Sequence, residues 1–275
     1  MRIGLVGLGR MGAAMAARLA GTGAEVAGYD LDPGRGGVAS LTQAAAPVVL
    51  FSLPDERAVA AALSELLPAL PQGAVVADTS TISPLAARDF ASQATAAGAA
   101  YLDAPVSGGP AGAAAGTLTV MLGGEAAALE RARPVLDRIA ARVVHVGPAG
   151  AGQVAKLVNN LLVATHLVVA GEALRIGEAA GVPAEALLAV VNAASGRSAA
   201  TEVNLPRWVL SSSFDSGFTA GLMRKDVRLA MDLARAVGAE PVACGRAAAV
   251  WDAAPVADGE DFNRLVATLL AGARP

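Results

Sequence analysis

Short β-like runs alternate with helical stretches through the first half of the chain, and no other feature constrains the fold as strongly. The predicted strands lie at residues 2–6, 25–29, 48–53, 74–77 and 100–102. The predicted helices between them lie at residues 11–20, 56–67 and 84–97. Two later strands, at 118–122 and 143–146, are predicted around a helix near 125–141. A chain that alternates in this way forms a mostly parallel sheet with helices on its faces.

The pattern changes at the glycine- and proline-rich segment 147–152. No clear strand signal follows it, and the predicted helices lie at 153–180, 184–194, 222–237 and 243–253. We therefore predict a domain of residues 1–150 and an all-α domain of residues 151–275. The 54% hydrophobic and 16% charged composition is sufficient for a sizeable buried core.

A glycine-rich turn joins the first predicted strand to the first helix. Gly7-Leu8-Gly9-Arg10-Met11-Gly12 has the pattern G-x-G-x-x-G, and Asp30 ends the second strand. The first glycine permits the turn, the second admits a pyrophosphate to the backbone N–H groups, and the third lets the helix pack closely. The context predicts a dinucleotide-binding, Rossmann-type doubly wound sheet; a tight turn without ligand is the alternative.

Asp30 bears on the choice of dinucleotide. Its carboxylate would accept hydrogen bonds from the adenosine ribose and repel a 2′-phosphate, which favours NAD. Arg35 could instead meet a 2′-phosphate, so NADP stays possible, and Asp30 could also be an ordinary surface carboxylate.

Only two of the 21 basic residues are lysines, Lys156 and Lys225. A lysine amine can exchange a proton near neutral pH when it is desolvated, whereas arginine stays charged. Lys156 lies four residues before Asn160 in an apolar helix, so the two share a face. This pair predicts an amine that transfers a proton beside an amide that orients an oxygen. Chance survival of two lysines, or a lysine extending to solvent at a helix end, is the alternative.

The segment Asp103–Gly109 follows the fifth predicted strand. Ser107, Gly108 and Gly109 could present a hydroxyl and N–H groups to a carboxylate. Spacing alone favours an ordinary loop here.

Composition narrows the possible partners. The net charge of −3 is scattered, which gives no reason to expect nucleic acid or an anionic membrane. The single cysteine, Cys244, excludes an internal disulfide and fits a reducing compartment. The apolar stretch 154–174 is interrupted by polar residues, so we predict a buried helix in a cytoplasmic protein. No metal site is predicted.

Taken together, the motifs resemble those of the β-hydroxyacid dehydrogenase family, which includes 3-hydroxyisobutyrate dehydrogenase and tartronate semialdehyde reductase. The similar segments are the glycine-rich turn, 103–109, 116–124, 152–160 and Lys225-Asp226. They cover nearly the whole chain in the family's order. The resemblance implies an oxidoreductase that transfers a hydride between NAD, or NADP, and a small β-hydroxyacid or its semialdehyde.

The resemblance also implies a role for each matching residue. Lys156 is expected to be the general acid/base, with Asn160, Ser107, Gly108 and Gly109 binding the substrate. The expected cofactor contacts are Gly7, Leu8, Gly9, Arg10, Met11, Gly12, Asp30, Leu53, Pro54, Thr81 and Lys225, with Asp226 supporting Lys225. The all-α domain is expected to serve substrate binding and to form a homodimer or homotetramer.

The chain departs from the family pattern after Asp30. The connection to the strand at Val48 has no room for a further helix and strand, so we expect the second strand to lie at a sheet edge. Two alternatives remain: an imine reductase on the same scaffold, and a non-catalytic dinucleotide-binding sensor.

Overall fold

A computed structural model describes residues 1–271 of the chain. Residues 272–275, the end of the predicted all-α domain, lie outside the described part. The chain divides into two compact units, the first being Met1–Lys156 and the second starting at Leu157. The assignment of cofactor binding to residues 1–150 and of substrate binding and oligomerisation to 151–275 stays a prediction.

The first unit is built on one mixed eight-stranded sheet. Its strands are β1 (Arg2–Val6), β2 (Glu25–Tyr29), β3 (Val48–Phe51), β4 (Val75–Asp78), β5 (Ala100–Asp103), β6 (Val106–Ser107), β7 (Leu118–Gly123) and β8 (Ala140–Gly147). Their order is β2-β1-β3-β4-β5-β7-β6, with β8 also paired to β7. The first five strands run parallel, and β7 is antiparallel to β5 and β6.

Five helices accompany this sheet in the described chain. They are α1 (Arg10–Gly21), α2 (Glu56–Leu66), α3 (Pro84–Ala96), α4 (Gly109–Ala115) and α5 (Ala126–Ile139). The α/β fold class with an N-terminal Rossmann-type sheet is confirmed. The predicted elements occur close to their expected bounds, but α4 and β6 were not predicted.

Successive residues of the central strands pack on opposite faces of the sheet. Leu50 joins one core cluster with Ile3, whereas Val49 and Phe51 join the other with Val6. All four residues of β3 are buried, which explains its unbroken apolar sequence. Each such side chain contributes about 1.5–3 kcal/mol on burial.

The connection between β2 and β3 contains only two short 3₁₀ turns, Pro33–Arg35 and Leu41–Ala44. As expected from its length, β2 lies at the edge of the sheet. The amide of Val38 donates to the carbonyl of Gly28 at 2.7 Å, so the connection covers part of that edge.

The second unit is helical, and the predicted all-α class is confirmed for its described residues. Its helices are α6 (Ala151–Ala179, which begins in the first unit), α7 (Ala184–Ala193), α8 (Ala220–Ala236), α9 (Val242–Ala253) and α10 (Arg264–Ala271), with a π-helical segment at Ala200–Leu210. Neither α10 nor the π-helical segment was predicted. Trp251 is fully buried in the core of this unit and donates from Nε1 to the carbonyl of Ala164 at 3.0 Å.

Helix α6 is long and apolar enough to cross a membrane by length and composition. Half of its most apolar window is buried inside the protein, and the core helix of a soluble protein has the same composition. Leu167 and Leu174, for example, belong to the core cluster around Trp251. The structure therefore gives α6 a packing role.

Candidate active site

The carboxyl ends of the five parallel strands meet at one edge of the sheet. Val6 pairs with Tyr29 and Phe51, and Asp78 pairs with Phe51 and Asp103, so these ends are level. The segments that follow the strands therefore lie along this edge, where open α/β sheets bind ligands. They contain the predicted residues Gly7–Gly12, Asp30, Leu53, Pro54, Thr81 and Ser107–Gly109.

The glycine-rich turn forms a cradle that side chains would fill. Gly7 has a φ of +94°, and a Cβ there would lie 2.3 Å from the carbonyl oxygen of Ser52. A Cβ at Gly12 would lie 1.7 Å from the carbonyl oxygen of Gly7. Helix α1 starts directly after Gly9, which supplies no side-chain cap. Its first N–H groups can therefore bind an anion, and the turn fits a dinucleotide pyrophosphate.

Asp30 links the end of β2 to this turn. Its Oδ2 accepts a hydrogen bond from the amide of Leu8 at 2.7 Å, and its Oδ1 accepts from the amide of Asp32 at 2.9 Å. A carboxylate has about four acceptor positions, so these two bonds and a longer contact from Arg35 leave room for a ribose hydroxyl. Asp30 thus has a structural role that is compatible with the predicted binding role.

Arg35 lies between two carboxylates beside the cradle. Its Nη1 is 3.5 Å from Asp30 Oδ2, and its Nε is 3.4 Å from Asp32 Oδ2. The same Nη1 lies 3.2 Å from the position of a Cβ on Gly9. A cation therefore sits beside the place where a 2′-phosphate would be recognised, which keeps NADP possible.

A buried polar network supports the segments after β3 and β4. Ser80 Oγ accepts from the amide of Leu53 at 2.9 Å, which explains why β3 ends at Phe51 and not at the predicted residue 53. Asp78 accepts from the amide of Ser80 at 2.9 Å and from the hydroxyl of Tyr101 at 2.6 Å. Burial, and then the neighbouring carboxylate of Asp78, raise the pKa of Tyr101 well above its ordinary value.

The start of α6 is attached to the end of β5 through Asp103. The two carboxylate oxygens accept from the amides of Gly150, at 2.8 Å, and Gln153, at 2.9 Å. Burial raises the pKa of Asp103, and these backbone donors oppose that rise. Asp103 thus caps the helix that carries Lys156.

Lys156 is 7% exposed, and its Nζ donates to the carbonyl of Val106 at 2.8 Å. Val106 is followed by Ser107, Gly108 and Gly109, so the amine is directed at the segment predicted to bind substrate. The loop predicted for this segment ends at Gly108, because α4 begins at Gly109. Both glycines have positive φ, +125° and +63°.

Three polar residues meet within the second unit. Asn160 is 5% exposed, and its Nδ2 donates to Asp226 Oδ2 at 2.6 Å. The Nζ of Lys225 lies 3.4 Å from Asp226 Oδ1. Asp226 therefore lies close enough to support Lys225, as predicted, and it also accepts the hydrogen bond from Asn160. Their contacts with substrate or cofactor stay predictions.

Sequence reasoning overlooked Ser80 and Gln153 as parts of the site. Gln153 lies in the segment 152–160 and Ser80 directly precedes Thr81, so the neighbouring predicted residues were the available signal. Among residues 1–271 no three histidine, cysteine or acidic side chains lie together as metal ligands would.

Two family models match successive parts of the chain. Residues 2–147 match the family described as the NAD binding domain of 6-phosphogluconate dehydrogenase. Residues 150–269 match the family described as NAD-binding of NADP-dependent 3-hydroxyisobutyrate dehydrogenase.

Individual relatives cover almost the whole chain. The probable 3-hydroxyisobutyrate dehydrogenase of Mycobacterium tuberculosis is 39% identical over 290 aligned residues, which span 98% of each chain. A structure of the M. tuberculosis enzyme with L-serine superposes with a TM-score of 0.91, at 38% identity and 98% coverage of each chain. NAD-dependent L-serine dehydrogenase of Pseudomonas aeruginosa is 41% identical over 256 residues, 86% of each chain.

An imine reductase of Streptomyces aurantiacus is 19% identical, with a TM-score of 0.66 over 98% of this chain and 99% of that one. At that identity the likeness concerns the fold alone.

Proposed function

This chain belongs to the β-hydroxyacid dehydrogenase family and is an NAD(P)-dependent oxidoreductase, and from that premise we propose that Lys156 is its proton-transfer residue. The observation that carries the proposal is the buried amine, 2.8 Å from the carbonyl of Val106, the residue that precedes Ser107 in the chain. A buried lysine directed at a polar loop is better placed for chemistry than for solvation.

The proposed reaction oxidises a β-hydroxyl to a carbonyl, or the reverse. A nicotinamide, when bound, would supply the acceptor or donor of the hydride. Lys156 removes the hydroxyl proton in the oxidation and returns it to the carbonyl oxygen in the reduction. The carbonyl of Val106 holds one ammonium hydrogen and so orients Nζ. Ser107, Gly108 and Gly109 bind the substrate carboxylate, and Asn160, held by Asp226, orients the substrate oxygen.

We propose that the cofactor is held by Gly7–Gly12, Asp30, Leu53, Pro54, Thr81 and Lys225. The pyrophosphate would meet the first N–H groups of α1, which have no side-chain cap. The ribose hydroxyls would meet Asp30, and this makes NAD the preferred cofactor.

The proposed substrate is a small hydroxyacid, with the hydroxyl on the β-carbon in all but one of the candidates, or the corresponding semialdehyde. Hydroxyisobutyrate, tartronate semialdehyde, succinic semialdehyde and serine-like compounds remain candidates. The P. aeruginosa relative is named for L-serine, which favours serine-like compounds in a first panel.

Two variants test the role of Lys156. Lys156→Ala should keep cofactor affinity, measured by nicotinamide fluorescence, and lose about two or more orders of magnitude in kcat on the panel. Lys156→Arg keeps the cation and should fail equally, since guanidinium does not exchange protons usefully. Near-normal turnover in either variant would refute the assignment. Cofactor binding by the wild type without turnover of any panel compound would favour a sensor.

We also propose that the protein is cytoplasmic and assembles as a homodimer or homotetramer through its helical unit. The support for the assembly is an exposed apolar stripe on α6, formed by Val158, Leu162, Val169 and Ile176. These positions fall on one face of a helix with 3.6 residues per turn. Exposed apolar stripes of this length are typical of interfaces.

A further inference from the structure

We propose that Gln153 is a positioning residue that fixes the segment around Thr81 to the start of α6. It thereby sets the position of Thr81, a predicted cofactor contact, relative to Lys156. The proposal rests on the proposed roles of Thr81 and Lys156. Every contact used below lies within the first unit.

The side chain of Gln153 brackets one residue of the chain. Its Nε2 donates to the carbonyl of Ser80 at 2.9 Å, and its Oε1 accepts from the amide of Ile82 at 3.1 Å. The backbone on both sides of Thr81 is therefore held by a single amide group. Gln153 is 0% exposed, so water cannot replace these bonds.

The hydrogen bond from Gln153 to Ser80 also links Gln153 to the predicted cofactor segment at Leu53. Ser80, whose carbonyl Gln153 holds, accepts from the amide of Leu53 through its own hydroxyl. A shift of the Gln153 side chain would therefore move Thr81 directly and Leu53 through Ser80.

Gln153 is also tied to the substrate side. Its backbone amide donates to Asp103, and Lys156, three residues later on α6, donates to the carbonyl of Val106. Residues three apart share a helix face, so a rotation of the helix start displaces both side chains together. Gln153 consequently couples the position of the cofactor segment to the position of the amine.

Gln153→Met and Gln153→Glu separate this role from simple packing. Methionine has a similar size but satisfies neither Ser80 nor Ile82. Glutamate keeps the acceptor for Ile82 and loses the donor to Ser80 until it is protonated. Gln93→Met, at an exposed glutamine of α3, is the matched control.

The first measurement uses the cofactor-free protein. Hydrogen exchange at the amide of Ile82 should accelerate by roughly tenfold or more in Gln153→Met, because a buried amide loses its acceptor. Gln153→Glu should retain most of the protection. The control should exchange as the wild type does.

The second measurement is cofactor affinity against pH. Gln153→Met should weaken NAD binding by roughly tenfold at every pH. For Gln153→Glu the ratio of its Kd to that of the wild type should fall toward one as the pH drops, because the protonated carboxyl can donate to Ser80 again. Turnover of both variants should fall by roughly tenfold or more through misplacement of Lys156.

The outcomes are decisive without any turnover assay. If the proposed substrate class is wrong, neither the wild type nor any variant turns over the panel compounds, but exchange at Ile82 and the Kd ratios still decide the role of Gln153. A lowered melting temperature with unchanged Ile82 exchange and unchanged Kd in Gln153→Met would overturn the proposal. If Gln153→Met does not fold, a pH-independent Kd ratio in Gln153→Glu overturns it instead.

Discussion

Two buried ionisable residues on β5 serve different purposes. Asp103 uses both carboxylate oxygens to cap α6, whereas Tyr101 gives its hydroxyl hydrogen to Asp78. In both, burial favours the neutral form, but Asp103 receives backbone N–H donors that favour the carboxylate. No cause that lowers the pKa acts on Tyr101 in the same way, so its ionisation should affect the stability of the fold at high pH.

Removal of the Tyr101 hydroxyl should flatten the alkaline stability profile. Because the pKa of Tyr101 is raised in the folded protein, the unfolded chain releases this proton first, near pH 10.0. The free energy of unfolding should then fall above that pH by about 1.4 kcal/mol per unit. Tyr101→Phe should cost about 1–3 kcal/mol at pH 7 and lose this slope. Urea unfolding from pH 8 to 11 measures both.

Phe90→Leu is the control, since Phe90 packs edge-on against the Tyr101 ring, with 5.9 Å between the two ring centroids. It should lower stability and keep the alkaline slope. An unchanged slope in Tyr101→Phe would show that other groups cause the alkaline loss.

At the level of elements, α1 contains two glycines with opposite surroundings. Gly12 faces the turn so closely that a Cβ would overlap the carbonyl of Gly7, whereas a Cβ on Gly21 would meet nothing within 4 Å. Close packing of the helix start is therefore specific to the turn.

Gly12→Ala should destabilise the protein by about 1–3 kcal/mol through overpacking, and should weaken cofactor binding. Gly21→Ala should stabilise it by about 0.5–1 kcal/mol, because alanine loses less backbone entropy in a helix. Thermal unfolding and NAD titration of both variants check this pair. Equal effects of the two substitutions would contradict a special role for Gly12.

The connection after β2 places Arg35 where it can influence cofactor choice. Asp32→Asn keeps the oxygen that accepts from the amide of Gly34 and removes one of the two charges beside Arg35. The ratio of NADP to NAD affinity should rise, by up to about fivefold for an exposed pair. Glu25→Gln, at the far end of β2, should leave the ratio unchanged. Comparable shifts in both variants would indicate a general charge effect.

The elements that sequence reasoning found have either a continuous or a periodic apolar pattern. Strand β3 is an unbroken apolar run, and α6 has apolar residues at helical spacing, so both can be predicted without knowledge of the tertiary structure. Helix α4 was missed because Gly108-Gly109-Pro110 is typical of a loop, and the π-helical segment because it contains Pro206. The bracket formed by Gln153 could not be predicted, since it joins residues 71 and 73 positions apart.

On the scale of the whole molecule, the exposed stripe on α6 predicts self-association. Ile176 is its most exposed member at 72%. Ile176→Lys should lower the mass measured by sedimentation velocity to that of a monomer, because a buried lysine without a partner is costly in an interface. Val237→Lys, at an exposed residue beyond α8, should keep the wild-type mass. A monomeric wild type would refute the proposed assembly.

The position of Trp251 in the second unit has a practical consequence for spectroscopy. Both tryptophans of the chain, Trp208 and Trp251, belong to the second unit, and both tyrosines, Tyr29 and Tyr101, belong to the first. Indole emission therefore tracks one half of the polypeptide, while phenol absorbance tracks the other. A denaturation followed in both optical channels reveals, without any label, whether the halves melt as one cooperative body or in succession.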